Sequence, residues 1–206
     1  MLVYIAAAVG LQVFMTGLAV VVRALGHDDR SDELSAVHNL RRVEERVWAG
    51  AQPDETQYQE LAAHGVRLVI DLRTGARDDP HEDDEIALRE LGIERLVLPV
   101  PDGHVPSRST LRQIVRAIDE ADGLVFVHCG GGVGRTAAAQ AAYVAATGRD
   151  PAWAELLALG PMTLEQAWFV VAADPGDPHG TNVVVRRVSE ALDAPRRLVS
   201  RLRALV

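Results

Sequence analysis

A glycine-rich loop between an apolar run and an alanine-rich segment constrains this chain more than any other feature. It has the sequence His-Cys-Gly-Gly-Gly-Val-Gly-Arg-Thr and covers residues 128–136. Glycines at this density let successive backbone N–H groups converge on one point and form an anion-binding nest. The helix that begins at Arg135 adds its own N–H groups, and the guanidinium fork faces the same point. The sequence predicts a strand–loop–helix unit whose phosphate-binding residues are Gly130, Gly131, Gly132, Val133, Gly134 and Arg135.

Cys129 lies in this loop and is the single cysteine of the chain. A cysteine attacks phosphorus as a thiolate, and a thiolate needs local positive potential to exist at neutral pH. The nest and Arg135 would supply that potential, so Cys129 is the predicted nucleophile. A lone cysteine has no partner for an intramolecular or resolving disulfide. A reactive thiol of this kind persists best in a reducing compartment, which favours the cytosol.

The pattern His-Cys-x-x-Gly-x-x-Arg-Thr closely resembles the signature of the cysteine-dependent protein tyrosine and dual-specificity phosphatases. Residues 48–53, 69–73 and 101–103 look like the bacterial dual-specificity-like branch, and the resemblance covers residues 43–175. Position 131 is glycine here, where the dual-specificity group often carries alanine. The resemblance implies a phosphatase that hydrolyses phosphotyrosine monoesters, with phosphoserine and phosphothreonine as further substrates, through a phosphocysteine intermediate. It implies no metal and no cofactor.

The same resemblance assigns roles to residues near the loop. Arg135 would clamp the phosphate, because its planar fork makes two hydrogen bonds to phosphate oxygens. Asp102 would be the general acid, since the family places an aspartate on a loop at this distance before the cysteine. The alternatives are that Asp102 is only a turn residue in Pro-Asp-Gly and that His104 is the acid. His128 would hydrogen-bond the loop backbone and lower the pKa of the Cys129 thiol.

Two further residues have competing interpretations. Thr136 would donate its hydroxyl to the sulfur and so assist hydrolysis of the intermediate, or it would bond back within the first turn of the helix. Gln166 would position the attacking water, or it would form a capping box with Thr163. Asp71 and Arg73, at the end of a predicted strand, are expected to organise the sheet edge rather than touch substrate.

Charge limits the partners of the chain. The net charge is −8, and all 21 basic residues are arginine. An acidic chain of this kind does not predict a nucleic-acid partner, and a phosphoprotein is the expected substrate. The alternatives are a phosphoinositide phosphatase and a catalytically weak module that binds phosphoproteins. The loop carries no basic side chain at positions 130–134, which disfavours highly charged lipids.

The N-terminal segment is apolar, and residues 1–22 contain no charged side chain. A helix of this length covers about 30 Å, the thickness of a bilayer core. Residues 1–25 are therefore predicted to form a transmembrane helix; a cleaved signal peptide and a buried helix are the alternatives. Arginines follow the span and none precedes it, so the positive-inside rule predicts a single-pass protein whose catalytic domain is cytoplasmic.

The rest of the chain is divided by its hydrophobic pattern. Residues 26–42 are predicted to be a juxtamembrane linker, 43–175 the phosphatase domain, and 176–206 a basic amphipathic C-terminal helical segment. Strands are expected at 43–48, 66–72, 95–100 and 124–127, alternating with helices. This order predicts an α/β fold with a mostly parallel central sheet flanked by helices. The segment 193–195, Asp-Ala-Pro, predicts a break between two C-terminal helices.

Overall fold

The computed structural model describes residues 2–25, 37–74, 82–172 and 183–203. The α/β fold with a mostly parallel sheet is confirmed. Five strands in this part of the chain form one sheet: β1 (Arg41–Glu44), β2 (Val47–Gly50), β3 (Val66–Asp71), β4 (Glu94–Val97) and β5 (Leu124–His128). Their order is β1-β2-β5-β3-β4, with β1 antiparallel to β2 and the other pairs parallel. The carboxyl ends of four strands therefore meet at one edge, with β5 in the middle.

Helices connect the strands and cover the sheet. They are α1 (Leu2–Ala24), α2 (Glu55–Ala63), α3 (Glu82–Glu90), α4 (Arg108–Glu120), α5 (Gly134–Ala146), α6 (Trp153–Ala158), α7 (Leu164–Ala172) and α8 (Val183–Arg203). Helix α2 begins with a capping box between Asp54 and Gln57, which satisfies N–H groups that a helix end leaves free. The acidic stretch at residues 77–85 lies partly outside the described residues, which resume at Glu82, where α3 begins.

The N-terminal edge of the sheet differs from the prediction. The single strand expected at 43–48 is an antiparallel hairpin, since β1 and β2 pair around a turn at Glu45 and Arg46. The domain therefore begins before residue 43, and the linker predicted at 26–42 extends too far. Within that linker, residues 26–36 lie outside the described residues. The pattern Arg-Arg-Val-Glu-Glu-Arg carries no Gly or Asn-Gly turn signal, which is why one strand was expected.

The C-terminal prediction of two helices is wrong. Helix α8 is continuous from Val183 to Arg203 and passes through Pro195. A proline inside a helix removes one backbone hydrogen bond because it has no N–H to donate. The loss of that single bond does not end the helix here. Helix α8 contacts α1 and α7, which places the C-terminal segment against the domain.

Two hydrophobic clusters cover the faces of the sheet. Residues of α4 and α5, including Ile114 and Ala142, pack with one face of the strands. Residues of α2 and α3, including Leu61 and Leu88, pack with the other. The alanines of α5 allow this helix to approach the sheet closely, and Ala138 and Ala142 are fully buried. A tightly held α5 fixes the position of the loop that precedes it.

Helix α1 lies against α6 and α8 along one stripe. Its buried residues are Met15, Ala19 and Val22, and Arg23 donates from Nη2 to the carbonyl of Ala158 at 2.7 Å. The opposite stripe is exposed and apolar: Val9, Val13, Phe14, Val20 and Val21. Residues Ala6–Ala24 are long and apolar enough to cross a membrane, with a mean hydropathy of 1.7.

Candidate active site

The loop after β5 lies at the carboxyl edge of the sheet, where α/β proteins bind ligands. β5 is flanked by two parallel strands, β2 and β3, so their following loops surround it. Cys129 is the first residue after β5, and it is 3 % exposed. It lies in a cavity of about 210 Å³ that also contains Asp102, Arg135 and Gln166. The other lining residues are Gln12, Gly131, Val133, Gly134, Pro161, Met162 and Thr163.

Arg135 lies in the first turn of α5 and is 4 % exposed. Its Nη1 donates to the carbonyl of Val100 at 3.2 Å and to that of Leu72 at 3.5 Å. Its Nη2 lies 3.8 Å from Asp102 Oδ1. The guanidinium is thus held by the loops after β3 and β4 while it lines the cavity. A cation fixed in this way needs little rearrangement to bind an oxyanion.

Asp102 reaches the cavity because the loop that carries it is bonded to the start of α7. Thr163 Oγ1 donates to the carbonyl of Gly103 at 2.7 Å, and Gln166 Nε2 donates to that of His104 at 3.1 Å. The imidazole of His104 instead pairs with Glu165, with Nδ1 2.9 Å from Oε2. His104 does not line the cavity. The geometry therefore favours Asp102 over His104 as the acid.

Thr136 and Gln166 have different surroundings. Thr136 is fully buried, and its Oγ1 has no hydrogen-bond partner among the described residues, so the bond back into the helix is not formed. Gln166 makes the capping box, in which Gln166 N donates to Thr163 Oγ1 at 3.3 Å and Thr163 N donates to Gln166 Oε1 at 3.1 Å. It also lines the cavity. The two interpretations of Gln166 are therefore compatible.

His128 lies beneath the loop in a fully buried position. Its Nδ1 donates to the carbonyl of Cys129 at 3.2 Å, and its Nε2 is 3.8 Å from Asp71 Oδ1. Burial lowers the pKa of His128 to about 4, an effect that the nearby Asp71 carboxylate partly offsets. The imidazole is therefore neutral at pH 7, which fits a group that orients the loop and does not act as a base.

Asp71 and Arg73 form a buried ion pair at the end of β3. Arg73 Nη2 lies 2.8 Å from Asp71 Oδ2, and Arg95 Nη2 lies 2.6 Å from the same oxygen. Burial alone would raise the pKa of Asp71, but hydrogen bonds from both arginines and the nearby His128 hold it well below its ordinary value. Neither Asp71 nor Arg73 lines the cavity, in agreement with their expected role at the sheet edge.

Three residues near the site were not predicted from the sequence. Asn39 and Arg41 donate to carbonyls of the loop, although both lie in the segment interpreted as a linker. Gln12 of α1 lines the cavity, because α1 packs beside it. Their positions in the sequence carry no chemical motif, so only the fold connects them with Cys129.

Comparisons with known proteins agree with the fold. The Tc-R-P family, described as "Polymorphic toxin system, DSP-PTPase phosphatase", matches residues 45–149, just over half of the chain. None of the curated proteins compared with the chain matches it. Asn39, Arg41 and Gln166 lie outside the matched segment, whereas Asp102, Cys129 and Arg135 lie inside it.

Solved structures resemble the fold at low sequence identity. Tk-PTP in its active form is 24 % identical, with a TM-score of 0.54, over 64 % of this chain and 92 % of that one. TpbA of P. aeruginosa in complex with pTyr is 21 % identical, with a TM-score of 0.54, over 79 % and 94 % of the two chains. A DUF442 protein from Shewanella putrefaciens CN-32 is 21 % identical, with a TM-score of 0.55, over 80 % and 94 %. The chain belongs to the dual-specificity and protein tyrosine phosphatase (DSP-PTPase) family and is a phosphatase.

Proposed function

We propose that this phosphatase hydrolyses phosphotyrosine monoesters, with phosphoserine and phosphothreonine monoesters as further substrates, through a phosphocysteine intermediate. The observation that carries the proposal is the cavity in which Cys129, Arg135 and Asp102 lie together. A nucleophile, a cation and an acid are the groups that transfer of a phosphoryl group to sulfur requires. No metal or cofactor takes part in the proposed reaction.

The first step transfers the phosphoryl group to Cys129. The thiolate attacks phosphorus, so an S–P bond forms while the P–O ester bond breaks. Asp102 gives its proton to the leaving oxygen, which matters most for an alkyl ester because an alkoxide is a poor leaving group. Arg135 and the N–H groups of residues 130–135 hold the equatorial oxygens. Support comes from Arg135 Nη1, which is already held by Val100 and Leu72.

The second step releases inorganic phosphate. A water attacks phosphorus, the S–P bond breaks, and Cys129 leaves as a thiolate while Asp102 takes a proton from the water. Thr136 donates its hydroxyl to the sulfur and stabilises this leaving group. The Oγ1 of Thr136 is buried and has no partner within the part of the chain that the structure describes, which supports that role. Gln166 lines the cavity and positions the water. Its amide is held by two hydrogen bonds, because Oε1 accepts from Thr163 N and Nε2 donates to the carbonyl of His104.

A phosphoprotein is favoured over a phosphoinositide by the charge of the cavity. Arg135 is the single basic residue among its described lining. A headgroup with several phosphates would need further cations to offset its charge. The structural likeness to TpbA, crystallised in complex with pTyr, makes phosphotyrosine the first substrate to test.

The experiment compares the rates of phosphate release from a phosphotyrosine peptide, a phosphoserine peptide and a phosphoinositide. The proposal expects the phosphotyrosine peptide to react fastest and Cys129→Ser to abolish turnover of p-nitrophenyl phosphate. Retained activity in Cys129→Ser would overturn the phosphocysteine mechanism. A burst of phosphate release without steady turnover would instead identify a weakly catalytic phosphoprotein-binding module.

We also propose that α1 anchors the protein in the cell membrane with the phosphatase domain in the cytoplasm. The exposed apolar stripe of α1 supports this proposal, as do its length and hydropathy. The arginines that follow α1 support the cytoplasmic orientation. A spanning helix would exchange its contacts with α6 and α8 for contacts with lipid.

A further inference from the structure

Three consecutive carbonyls of the catalytic loop accept hydrogen bonds from outside the loop. Gly130 O accepts from Gln52 N at 3.0 Å. Gly131 O accepts from Asn39 Nδ2 at 2.9 Å. Gly132 O accepts from Arg41 Nη1 at 3.1 Å. The donors all belong to the segment around the β1–β2 hairpin, which lies beside the loop because β2 pairs with β5.

These bonds determine where the N–H groups of the loop point. In a trans peptide the C=O and the following N–H point in opposite directions. A carbonyl held toward Asn39 therefore turns the N–H of Gly132 away from Asn39, and one held toward Arg41 does the same for Val133. The concave side of the loop, with Cys129 and Val133 at its surface, is the cavity.

Asn39 and Arg41 are themselves held in place. Each is 4 % exposed, and Arg41 Nη1 also donates to the carbonyl of Asn39 at 3.0 Å. Arg41 Nε donates to Gln140 Oε1 of α5 at 2.6 Å. Asn39 has a φ of 55°, a left-handed conformation that asparagine tolerates better than most residues. Burying a polar group costs free energy unless the group is hydrogen-bonded. These hydrogen bonds therefore stabilise the buried positions of Asn39 and Arg41.

We propose that Asn39 and Arg41 are positioning residues that set the oxyanion affinity of the loop and the thiolate character of Cys129. Neither lines the cavity, so they act through the carbonyls of Gly131 and Gly132 and not by contact with substrate. Without these bonds the peptide planes can rotate and turn N–H dipoles away from the sulfur and the phosphate. This inference rests on the proposed function for its effect on turnover, but its effect on anion binding can be measured without turnover.

The test uses the full chain and variants Asn39→Ala and Arg41→Lys. Orthovanadate binding is measured by calorimetry, and the alkylation rate of Cys129 by iodoacetamide is measured against pH. Each lost bond is expected to weaken vanadate binding about 10-fold, the effect of one hydrogen bond between charged and polar groups. The midpoint of the alkylation profile is expected to move to higher pH. A residue that only stabilised the fold would lower the melting temperature and move neither quantity.

Arg42→Ala is the matched control, because Arg42 lies on the same strand with its guanidinium 5.3 Å from the ring centre of Trp48. It is expected to change neither vanadate affinity nor the alkylation profile. If Asn39→Ala does not fold, Gln140→Ala decides, since it removes a partner of Arg41 and is expected to shift both quantities in the same direction by a smaller amount. Folded Asn39 or Gln140 variants with wild-type vanadate affinity and alkylation midpoint would overturn the inference. A wild-type protein that binds vanadate but does not turn over any of the phosphate esters would instead count against the proposed function alone.

Discussion

Arg135 Nη2 and Asp102 Oδ1 lie 3.8 Å apart in the cavity that contains Cys129. The arginine side chain is 5 % exposed and the aspartate side chain 29 % exposed, so Asp102 lies on the solvent side of the pair. A phosphate that enters the cavity competes with this carboxylate for the same guanidinium. Asp102 therefore has two opposing effects in the proposed mechanism, one for each protonation state: the ionised carboxylate weakens oxyanion binding, and the protonated carboxyl supplies the proton when the ester bond breaks.

Replacing Asp102 by Asn should separate these effects. Removal of one negative charge near the phosphate is expected to tighten orthovanadate binding about 5-fold, since two charges about 4 Å apart interact by about 1 kcal/mol at the dielectric constant of water. Loss of the acid should lower kcat about 100-fold with an alkyl phosphate and less with p-nitrophenyl phosphate. Calorimetry and steady-state kinetics measure the two effects.

The control for Asp102→Asn is Asp122→Asn, which makes the same change of charge at an exposed position before β5, at the other edge of the sheet. It should leave vanadate affinity and both rates unchanged. An equal loss of kcat with alkyl and aryl phosphates in Asp102→Asn would count against the acid role.

Two neighbouring glycines of the loop should respond differently to alanine. Gly132 has a φ of 68°, and a Cβ there would collide with the backbone of Gly50 and Ala51. Gly132→Ala is therefore expected to lower kcat/KM more than 100-fold, because the loop must move away from β2. A Cβ on Gly131 meets no atom within 4 Å. Gly131→Ala is expected to keep activity within about 2-fold and to stabilise the fold by about 0.5 kcal/mol, through a less flexible unfolded chain.

Kinetics with p-nitrophenyl phosphate and urea unfolding of both variants check this pair. Equal damage from the two substitutions would mean that the loop adopts another conformation in solution.

The sequence predicted the strand–loop–helix unit and the sheet, because each depends on short-range patterns. The strand before Cys129 is an apolar run, and α5 is an alanine-rich segment after dense glycine, so strand, loop and helix follow locally. The acid role of Asp102 stays a prediction that depends on the family resemblance, since Pro-Asp-Gly alone indicates only a turn. The capping box of Thr163 and Gln166 was visible in the spacing, but the contact of Gln166 with the loop of Asp102 was not.

Asn39 and Arg41 could not be predicted, for a physical reason. Their roles depend on the pairing of β2 with β5, which joins residues far apart in sequence. A single polar residue before a short strand has the same appearance in a linker and in a buried network. The hairpin of β1 and β2 was itself missed because its turn has no glycine, and the continuous α8 was missed because Pro195 usually ends a helix.

His128 predicts a pH dependence of stability. Its pKa is lowered to about 4 in the folded protein because of burial, against about 6.5 in the unfolded chain. Below pH 6.5 the unfolded state binds the proton more readily, so stability falls as the pH drops from about 6.5 to about 4. The loss by pH 4 is on the order of 3 kcal/mol. The lowered pKa of Asp71 acts at more acidic pH, since stability from a depressed carboxyl is lost only below its ordinary value of 3.8.

Urea unfolding of the wild type and of His128→Asn at a series of pH values measures this slope. The variant has no titrating ring at this position, so its stability should change much less between pH 6.5 and 4.5. Parallel slopes in the two proteins would show that another group causes the acid sensitivity.

Helix α1 offers a pair of adjacent positions that tests the membrane proposal. Val13 and Phe14 are 66 % and 63 % exposed, whereas Met15 is 5 % exposed against the domain. Two carboxylates in the middle of a spanning helix cost several kcal/mol in a bilayer. The double variant Val13→Asp/Phe14→Asp is therefore expected to move the protein from the carbonate-resistant membrane fraction to the soluble fraction, with p-nitrophenyl phosphatase activity retained.

Met15→Asp is the companion variant. If α1 is instead a buried docking helix, Met15→Asp alone lowers the melting temperature, and the wild type already fractionates as a soluble protein.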